Sequence, residues 1–259
     1  MLLRTIVRDC LYLNWALPAA ALPPPPAPLR YEVHAWRGGD WVFASALLFY
    51  QEGMHVGGIP GLRLSYPQLN LRLYVLDASS VPSVLFLRML MPAWVVPGVR
   101  LVSHQPAARA RLDFPRPSRD QGNGRWRWSV QGSHPLEVEA WPDSPAVGEG
   151  PRLGPWERAI DYFRNRQRGY AEGRHGLRRV QTRKAIESPA VWPMRAEVLA
   201  DGLLPELLPL AGDAGWPPLH SCWLCPEIPF ELELGFVPKV ALPSGVPHPA
   251  PTTRSAACL

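Results

Sequence analysis

The sequence predicts a β-dominated fold with few helices, and three patterns favour this class. Residues 68–76 alternate between polar and apolar side chains, as in a strand with one face on a core. Residues 125–141 hold two more alternating runs joined by a short loop. Residues 31–36 and 41–50 are rich in aromatic and β-branched residues and flank a turn-forming segment. The length of 259 residues allows one large β-rich domain or two ordinary ones.

The first predicted strand covers residues 4–15, and a short helix follows near residues 18–22. Four prolines at 23–26 end this helix because proline cannot donate an amide hydrogen bond. The next two strands, 31–36 and 41–50, form a hairpin around Arg37-Gly38-Gly39-Asp40.

The run 81–99 is long enough to span a bilayer, but Arg88 lies near its middle and three prolines interrupt it. We therefore expect a buried pair of strands at 85–91 and 95–102. Residues 1–22 resemble a signal peptide only loosely, since Asp9, Asn14 and Pro18 break the apolar stretch. Four cysteines in a chain of this length are typical of a reducing compartment. We expect a soluble, cytoplasmic protein that does not bind membranes.

The hairpin at 125–141 has a predicted register. Trp126, Trp128 and Val130 share one face with Leu136, Val138 and Ala140, while Arg125 and Arg127 face Glu137 and Glu139. Further along, a helix is predicted over 156–168, a strand over 177–186 and a short helix over 203–208. From residue 238 the chain is proline-rich without periodicity, which predicts a disordered tail over 238–259.

The positive charge is mostly arginine, with 25 arginines and two lysines, Lys184 and Lys239. The surplus lies in residues 156–187, where nine basic and four acidic side chains give a net charge of +5. Interleaved aromatics there could indicate nucleic-acid binding. We favour a simpler interpretation, an amphipathic helix with Arg158, Arg164, Arg166 and Arg168 on its solvated face, and expect no nucleic-acid partner.

Two further groups of residues could carry chemistry. His220, Cys222 and Cys225 have the spacing of half a zinc site, yet no second cysteine pair is present. We interpret the cysteines as small buried hydrophobes and expect no metal and no cofactor. Asn70, Arg72 and Tyr74 form the polar side of the strand at 68–76, which either meets solvent or lines a cavity. An arginine inside a cavity needs an anionic partner from the protein or from a ligand.

Several of these segments resemble the YqjF-like family of uncharacterised bacterial proteins with an acetoacetate decarboxylase-like fold. They are Asn14-Trp15-x-Leu17-Pro18, Leu69 to Val75, Arg100, Ala110-Arg111 and Arg195-Ala196-Glu197-Val198. The resemblance covers about residues 4–235. It implies an α+β, β-dominated fold in which an antiparallel sheet closes into a barrel or cone around a pocket, with a few peripheral helices. The domain would cover residues 1–237.

The resemblance also implies a chemical difference. In the decarboxylases a lysine forms a Schiff base with a β-keto acid. The matching stretch here runs from Arg100 to Pro106-Ala107-Ala108, with alanine at both lysine positions. The sequence therefore predicts no acetoacetate decarboxylase activity and no residue for covalent catalysis.

The leading hypothesis is a pocket protein that binds a small, partly apolar organic anion. Arg72 or Arg100 would pair with the anion, while Asn70, Tyr74 and His104 would orient it. One alternative is a noncovalent isomerase or lyase acting on a keto or enol acid, with His104 or Glu52 as the base. Another is an interaction module that uses the basic face at 156–187. A homo-oligomer is compatible with each.

Overall fold

The computed structural model describes residues 2–56, 61, 63–103, 105–117, 124–132, 135–166, 168–173, 176–184, 190–207 and 216–233. The strands are β1 (Leu2–Pro18), β2 (Arg30–Tyr31), β3 (His34–Trp36), β4 (Gly39–Val56), β5 (Leu64–Leu76), β6 (Pro82–Met91), β7 (Ala107–Arg109), β8 (Arg111–Asp113), β9 (Trp126–Gln131), β10 (Leu136–Pro142), β11 (Arg168–Gly173), β12 (Gly176–Lys184), β13 (Trp192–Asp201) and β14 (Ser221–Glu233). The helices are α1 (Val96–Ser103), α2 (Trp156–Arg164), the short α3 (Leu204–Leu207) and a 3-10 turn at Ala19–Ala21.

Seven strands close into a ring in the order β1, β4, β5, β6, β11, β12 and β14, because β14 also pairs with β1. Every pairing in the ring is antiparallel except that of β6 with β11. The ring corresponds to the expected barrel or cone, and the α+β, β-dominated class is confirmed.

A second group of strands, β13, β10, β9 and β8, extends from β14 and covers one outer face of the ring. The predicted hairpin register is confirmed, since Val138 lies opposite Trp128 and Ala140 opposite Trp126. The buried side of this hairpin packs on the outward-facing leucines of β1 and β5. Its other face carries the expected exposed ion pairs, Arg125 with Glu139 and Arg127 with Glu137.

The segment after β6 differs from the expected second strand, because residues 96–103 form α1. Proline disfavours a helix only where its missing N–H would have donated to the preceding turn. Pro97 lies in the first turn of α1, where amide groups have no helical acceptor, so it does not prevent the helix. Val95 and Val96 are buried, whereas Leu101 is exposed.

The helix predicted over 156–168 ends at Arg164, because β11 begins at Arg168. Its apolar face is confirmed, since Ile160 and Phe163 are buried. The expected solvated arginine face is wrong for two of its members. Arg164 and Arg166 are each only 5% exposed.

The predicted tail, 238–259, lies outside the described residues, as does Lys239. The boundary of the domain at residue 237 therefore stays a prediction. No helix in the described part of the chain has the length and apolarity needed to cross a membrane.

Candidate functional site

The alternation on β5 separates two environments. Leu69, Leu71, Leu73 and Val75 point to the core between the ring and the outer strands. The opposite side of β5 faces the inside of the ring, where Asn70 and Arg72 line a cavity. The sequence left open whether this polar side faces solvent or a pocket. The structure shows that it faces a pocket.

The cavity has a volume of about 540 Å³ and predominantly apolar walls. This size is within the range of small-molecule binding sites. Its apolar and aromatic lining comes from six ring strands and from the segment of α1. These residues are Leu3, Val7, Cys10, Tyr12, Leu47, Phe49, Met54, Leu64, Tyr66, Val84, Phe86, Met89, Trp94, Val95, Val99, Val180, Ile228, Phe230 and Leu232.

A β-bulge in β1 brings both halves of this strand to the cavity. The pairing of β1 with β4 shifts between Arg8 and Leu11, and Asp9 has a φ of 51°. A bulge adds one residue and so reverses which side chains face inward. Val7 and Cys10 therefore both line the cavity, although residues three positions apart would lie on opposite faces of a regular strand.

The two ends of the cavity differ. At one end the side chains of Ile160 and Phe163 from α2 pack against the inner face of the ring. At the other end Trp94 and Gly98 line the cavity and are also exposed to solvent. A residue that lines the cavity and is also exposed to solvent marks an opening. The cavity is therefore open beside α1 and closed at the end where α2 packs.

Arg72 is a buried cation at the closed end, with 7% of its surface exposed. One guanidinium nitrogen, Nη2, donates to the hydroxyl of Tyr74 at 2.8 Å and to the carbonyl of Phe163 at 2.7 Å. Its Nε is buried without a hydrogen-bond partner. Among the described residues no carboxylate forms an ion pair with it. Burying a cation without an anionic partner lowers the stability of the fold by roughly several kcal/mol. Arg72 is therefore the side chain in the cavity that most needs an anionic partner.

The sequence predicted that Tyr74 contacts a ligand in the cavity, but Tyr74 is not among the lining residues. It lies behind Arg72 and is fully buried. Its hydroxyl accepts from Arg72 and lies 2.9 Å from Ser45 Oγ, which donates to Asn14 Oδ1 at 2.5 Å. Since Ser45 donates its proton to Asn14, its oxygen can accept from the Tyr74 hydroxyl, which also has the carbonyl of Phe163 as an acceptor at 3.2 Å. Tyr74 therefore fixes the orientation of Arg72.

The same network continues to the far side of the ring. Asn14 Nδ2 donates to Ser221 Oγ at 3.3 Å, and this hydroxyl contacts His220 Nδ1 at 3.2 Å. His220 Nε2 donates to the carbonyl of Pro151 at 3.1 Å, which leaves Nδ1 as an acceptor. Every hydrogen bond from Arg72 to Pro151 can therefore run in one direction, an arrangement in which neighbouring bonds polarise one another.

His220 gives the network a pH dependence. Burial lowers the pKa of His220 to about 4, whereas the unfolded chain has a pKa of about 6.5. Below pH 6.5 the unfolded state therefore binds a proton that the folded state does not, and the free energy of unfolding falls. We expect a loss of about 2 kcal/mol from this group between pH 7 and pH 5.

Urea unfolding of the wild type and of His220→Gln at both pH values measures this contribution. Glutamine retains a donor for Pro151 but does not titrate. Equal losses of stability in the two proteins on acidification would contradict the assignment.

A second buried arginine, Arg166, also lines the cavity but has a carboxylate partner. Its Nη1 lies 2.7 Å from Glu32 Oε2, and its Nε donates to the carbonyl of Tyr162. The guanidinium also lies 4.2 Å from the centre of the Tyr162 ring. The charge of Arg166 is thus balanced within the protein, unlike that of Arg72. Sequence analysis assigned Arg166 to a solvated face and missed this role.

The other predicted site residues have different positions. Arg100 is exposed on α1, does not line the cavity, and donates to the carbonyl of Ala107 at 2.9 Å. His104 lies outside the described residues. Asn70 lines the cavity, and its Oδ1 accepts from Gln68 Nε2 at 2.6 Å, so that its amide nitrogen can donate elsewhere. Of the five predicted residues, the structure therefore brings together Asn70, Arg72 and Tyr74.

The alternative general base, Glu52, does not face the cavity, because its carboxylate pairs with Arg8 at 2.6 Å. The described lining residues contain no carboxylate side chain, and their one imidazole belongs to His55. His55 lies ten residues beyond Ser45 on β4, and Ser45 pairs with Arg72. This separation is about 30 Å of strand, too far for both groups to act on one small substrate.

The cysteines of β14 do not converge on a shared site. Cys222 belongs to the core outside the ring, whereas Cys225 belongs to the core inside it, because three residues of strand place them on opposite faces. Both side chains are buried, and neither forms a disulfide among the described residues. His220 is engaged with Pro151 and Ser221. The interpretation of the cysteines as buried hydrophobes agrees with this arrangement.

The stretch that resembles the decarboxylase lysine segment is β7. Ala107 is buried there and packs with residues of α1. No lysine is among the described residues that line the cavity. The backbone of Lys184 pairs with Phe230, a lining residue, while its side chain is outside the described part.

A family model described as an uncharacterized conserved protein, DUF2071, matches residues 5–206. The chain belongs to this family. The match covers six of the seven ring strands and both arginines of the cavity, Arg72 and Arg166, and it ends before β14. No curated protein matches the chain at a significant level.

Solved structures similar to this DUF2071 protein share its fold. The enduracididine biosynthesis enzyme MppR, complexed with the condensation product of pyruvate and imidazole 4-carboxaldehyde, is 12% identical with a TM-score of 0.59 over 90% of this chain and 87% of that chain. MppR complexed with pyruvate has a TM-score of 0.56 at 12% identity, over 90% and 88%.

An acetoacetate decarboxylase-like enzyme from Sphingomonas wittichii RW1 has a TM-score of 0.54 at 13% identity, over 89% of this chain and 90% of that chain. These neighbours confirm the acetoacetate decarboxylase-like fold that the sequence resemblance implied. At such low identity they show the fold alone.

Proposed function

We propose that this DUF2071 protein binds a small, partly apolar organic anion in its cavity, without covalent catalysis. The observation that carries the proposal is Arg72, a buried guanidinium with no carboxylate partner among the described residues and with an unpartnered Nε. A carboxylate placed against this guanidinium would supply both the missing charge and the missing acceptor. Asn70, whose amide nitrogen can donate, would orient the same group.

The fixed geometry of Arg72 supports binding. Its rotamer is held by Tyr74 and by the carbonyl of Phe163, so a ligand would not have to order a flexible side chain. The structural neighbours add one supporting fact, because MppR, a protein of the same fold, has a solved structure in complex with pyruvate, a carboxylate.

The noncovalent isomerase or lyase is supported less well. It requires a general base near the anion, and the described lining residues offer only His55, at the opposite end of β4. The alternative of an interaction module at 156–187 is also supported less well. Arg164 and Arg166 are buried and cannot contact a partner, and Arg168 Nη1 lies 2.5 Å from Asp77 Oδ2.

The proposal is tested by native mass spectrometry and thermal shift with a panel of monocarboxylates, using Arg72→Ala as the test and Arg100→Ala as the matched control. We expect the Kd to rise at least about thirtyfold for Arg72→Ala, the cost of losing a charge-assisted hydrogen bond and its ion pair. The exposed Arg100 lies outside the cavity, so its variant should bind like the wild type.

Borohydride treatment with pyruvate completes the experiment. A noncovalent site gives no increase in protein mass. A covalent adduct that disappears in Lys184→Ala would overturn the noncovalent mechanism. Retention of wild-type affinity in Arg72→Ala would overturn the assignment of the anion site.

A further inference from the structure

We infer that the ligand of this cavity is an amphipathic monocarboxylate with one long apolar chain, rather than a short keto acid. The inference rests on the proposed function, because it takes Arg72 as the anion site. It adds the charge, the length and the width of the ligand.

The charge of the ligand follows from the two buried arginines. Arg166 is neutralised by Glu32, so it offers no net charge to a ligand. Arg72 alone is uncompensated among the described lining residues. One carboxylate therefore balances the cavity. A second carboxylate on the same ligand would lie among apolar walls without a cation, which is strongly unfavourable.

The length follows from the distribution of lining residues along β5. They extend from Leu64 to Arg72, which is eight residue steps or about 26 Å of strand. With a tilt of about 40°, as in other closed sheets, this corresponds to about 20 Å along the axis of the ring. A ligand held at Arg72 therefore has a long apolar path to the opening beside α1.

The width follows from the volume. Spread over about 20 Å, the 540 Å³ of the cavity gives a mean cross-section of about 27 Å². Carbon atoms in contact lie about 4 Å apart, so a cross-section of this size accommodates an extended hydrocarbon chain. The same volume equals about 18 water molecules. Pyruvate has six heavy atoms bonded to one another, so it would fill well under a third of this volume and leave the apolar walls uncovered.

The walls beyond Arg72 suit such a chain. Phe86 and Val84 of β6 lie beside Arg72 and Tyr74 in register, and Met89 lies beside Asn70. Toward the opening the cavity is lined by Tyr66, Val95 and other apolar side chains. Burying each methylene against these walls contributes about 0.8 kcal/mol.

The test is isothermal titration of the whole protein with a series of straight-chain acids from butanoate to octadecanoate. We expect the Kd to fall about fourfold for each added methylene. The gain should stop near hexadecanoate, the length at which an extended chain spans the path from Arg72 to the opening. Decan-1-ol and decanedioate should each bind at least about tenfold more weakly than decanoate, because one lacks the charge and the other carries a second.

Gly98→Phe tests the path of the chain without altering the anion site. Gly98 lines the open end, and a Cβ added there meets no atom within 4 Å, so the variant should fold normally. We expect it to weaken hexadecanoate binding at least about tenfold while leaving butanoate unchanged, since only the longer ligand reaches the opening.

The outcomes separate the two proposals. Arg72-dependent binding of pyruvate and butanoate with no gain for longer acids would overturn the long-chain ligand and leave the anion site intact. Equal affinity for decanoate and decan-1-ol would overturn the role of Arg72. An absence of binding by every acid would overturn both.

Discussion

Replacing Arg166 by methionine should destabilise the folded protein by about 3 kcal/mol, because the carboxylate of Glu32 would lose its cation in a largely buried position. The side chain of Arg166 is 3% exposed and that of Glu32 is 17% exposed. Among the described residues, the remaining side-chain donor to Glu32 in the variant would be the hydroxyl of Tyr162, which lies 3.2 Å from Glu32 Oε2. The free energy of unfolding in urea at pH 7 measures the loss.

Two companion variants isolate the cause. Combining Arg166→Met with Glu32→Gln removes the stranded charge and should recover at least half of the loss. Arg72→Met is the matched control, since its guanidinium has no carboxylate among the described residues. We expect its stability to change by less than about 1 kcal/mol or to rise, because an uncompensated buried charge is replaced by an apolar chain of similar length. Equal destabilisation by both single variants would contradict this distinction.

Truncating Phe163 to alanine should cost about 4 kcal/mol, which is typical of a large ring removed from a close-packed interior. Phe163 is fully buried, and its ring contacts Phe43, Tyr74 and Trp223 at centroid distances of 5.1 to 5.3 Å. These contacts join α2 to the closed end of the ring. For a domain of this size the expected fall in Tm is about 8–16 °C.

Leu101→Ala is the control for this prediction, because Leu101 is 77% exposed and its truncation should change stability by less than about 0.5 kcal/mol. Calorimetry of both variants measures the two effects. A loss below about 1 kcal/mol for Phe163→Ala would show that α2 contributes little to closing the ring.

Local patterns determined most of the strands. The alternation at 68–76 predicted which residues of β5 face the core, because side chains of a strand alternate between its two faces. The register of the hairpin at 125–141 followed from matching apolar and charged sides. The apolar stripe of α2 followed from helical spacing. Each of these signals depends on neighbours within about ten residues.

What the sequence could not decide depended on distant partners. Arg166 and Arg168 are close in the chain, yet one is buried with Glu32 and the other pairs with Asp77. The local sequence cannot distinguish such arginines from solvated ones. Their partners, Glu32 and Asp77, lie in loops between strands, 134 and 91 residues away in the sequence. The helix α1 was missed for a related reason, since its apolar face is stabilised by tertiary packing rather than by local propensity.

The sequence by itself determined the fold class and which residues of β5 share a face with Arg72, whereas it left open whether that face meets solvent or a cavity. Only the tertiary structure decided that Arg72 has no carboxylate partner among the described residues, that Tyr74 supports it from behind, and that Arg100 lies on the surface. The reason is physical. The face on which a side chain lies is a property of its own strand, whereas charge balance depends on which groups the closing of the ring brings within a few ångströms of each other.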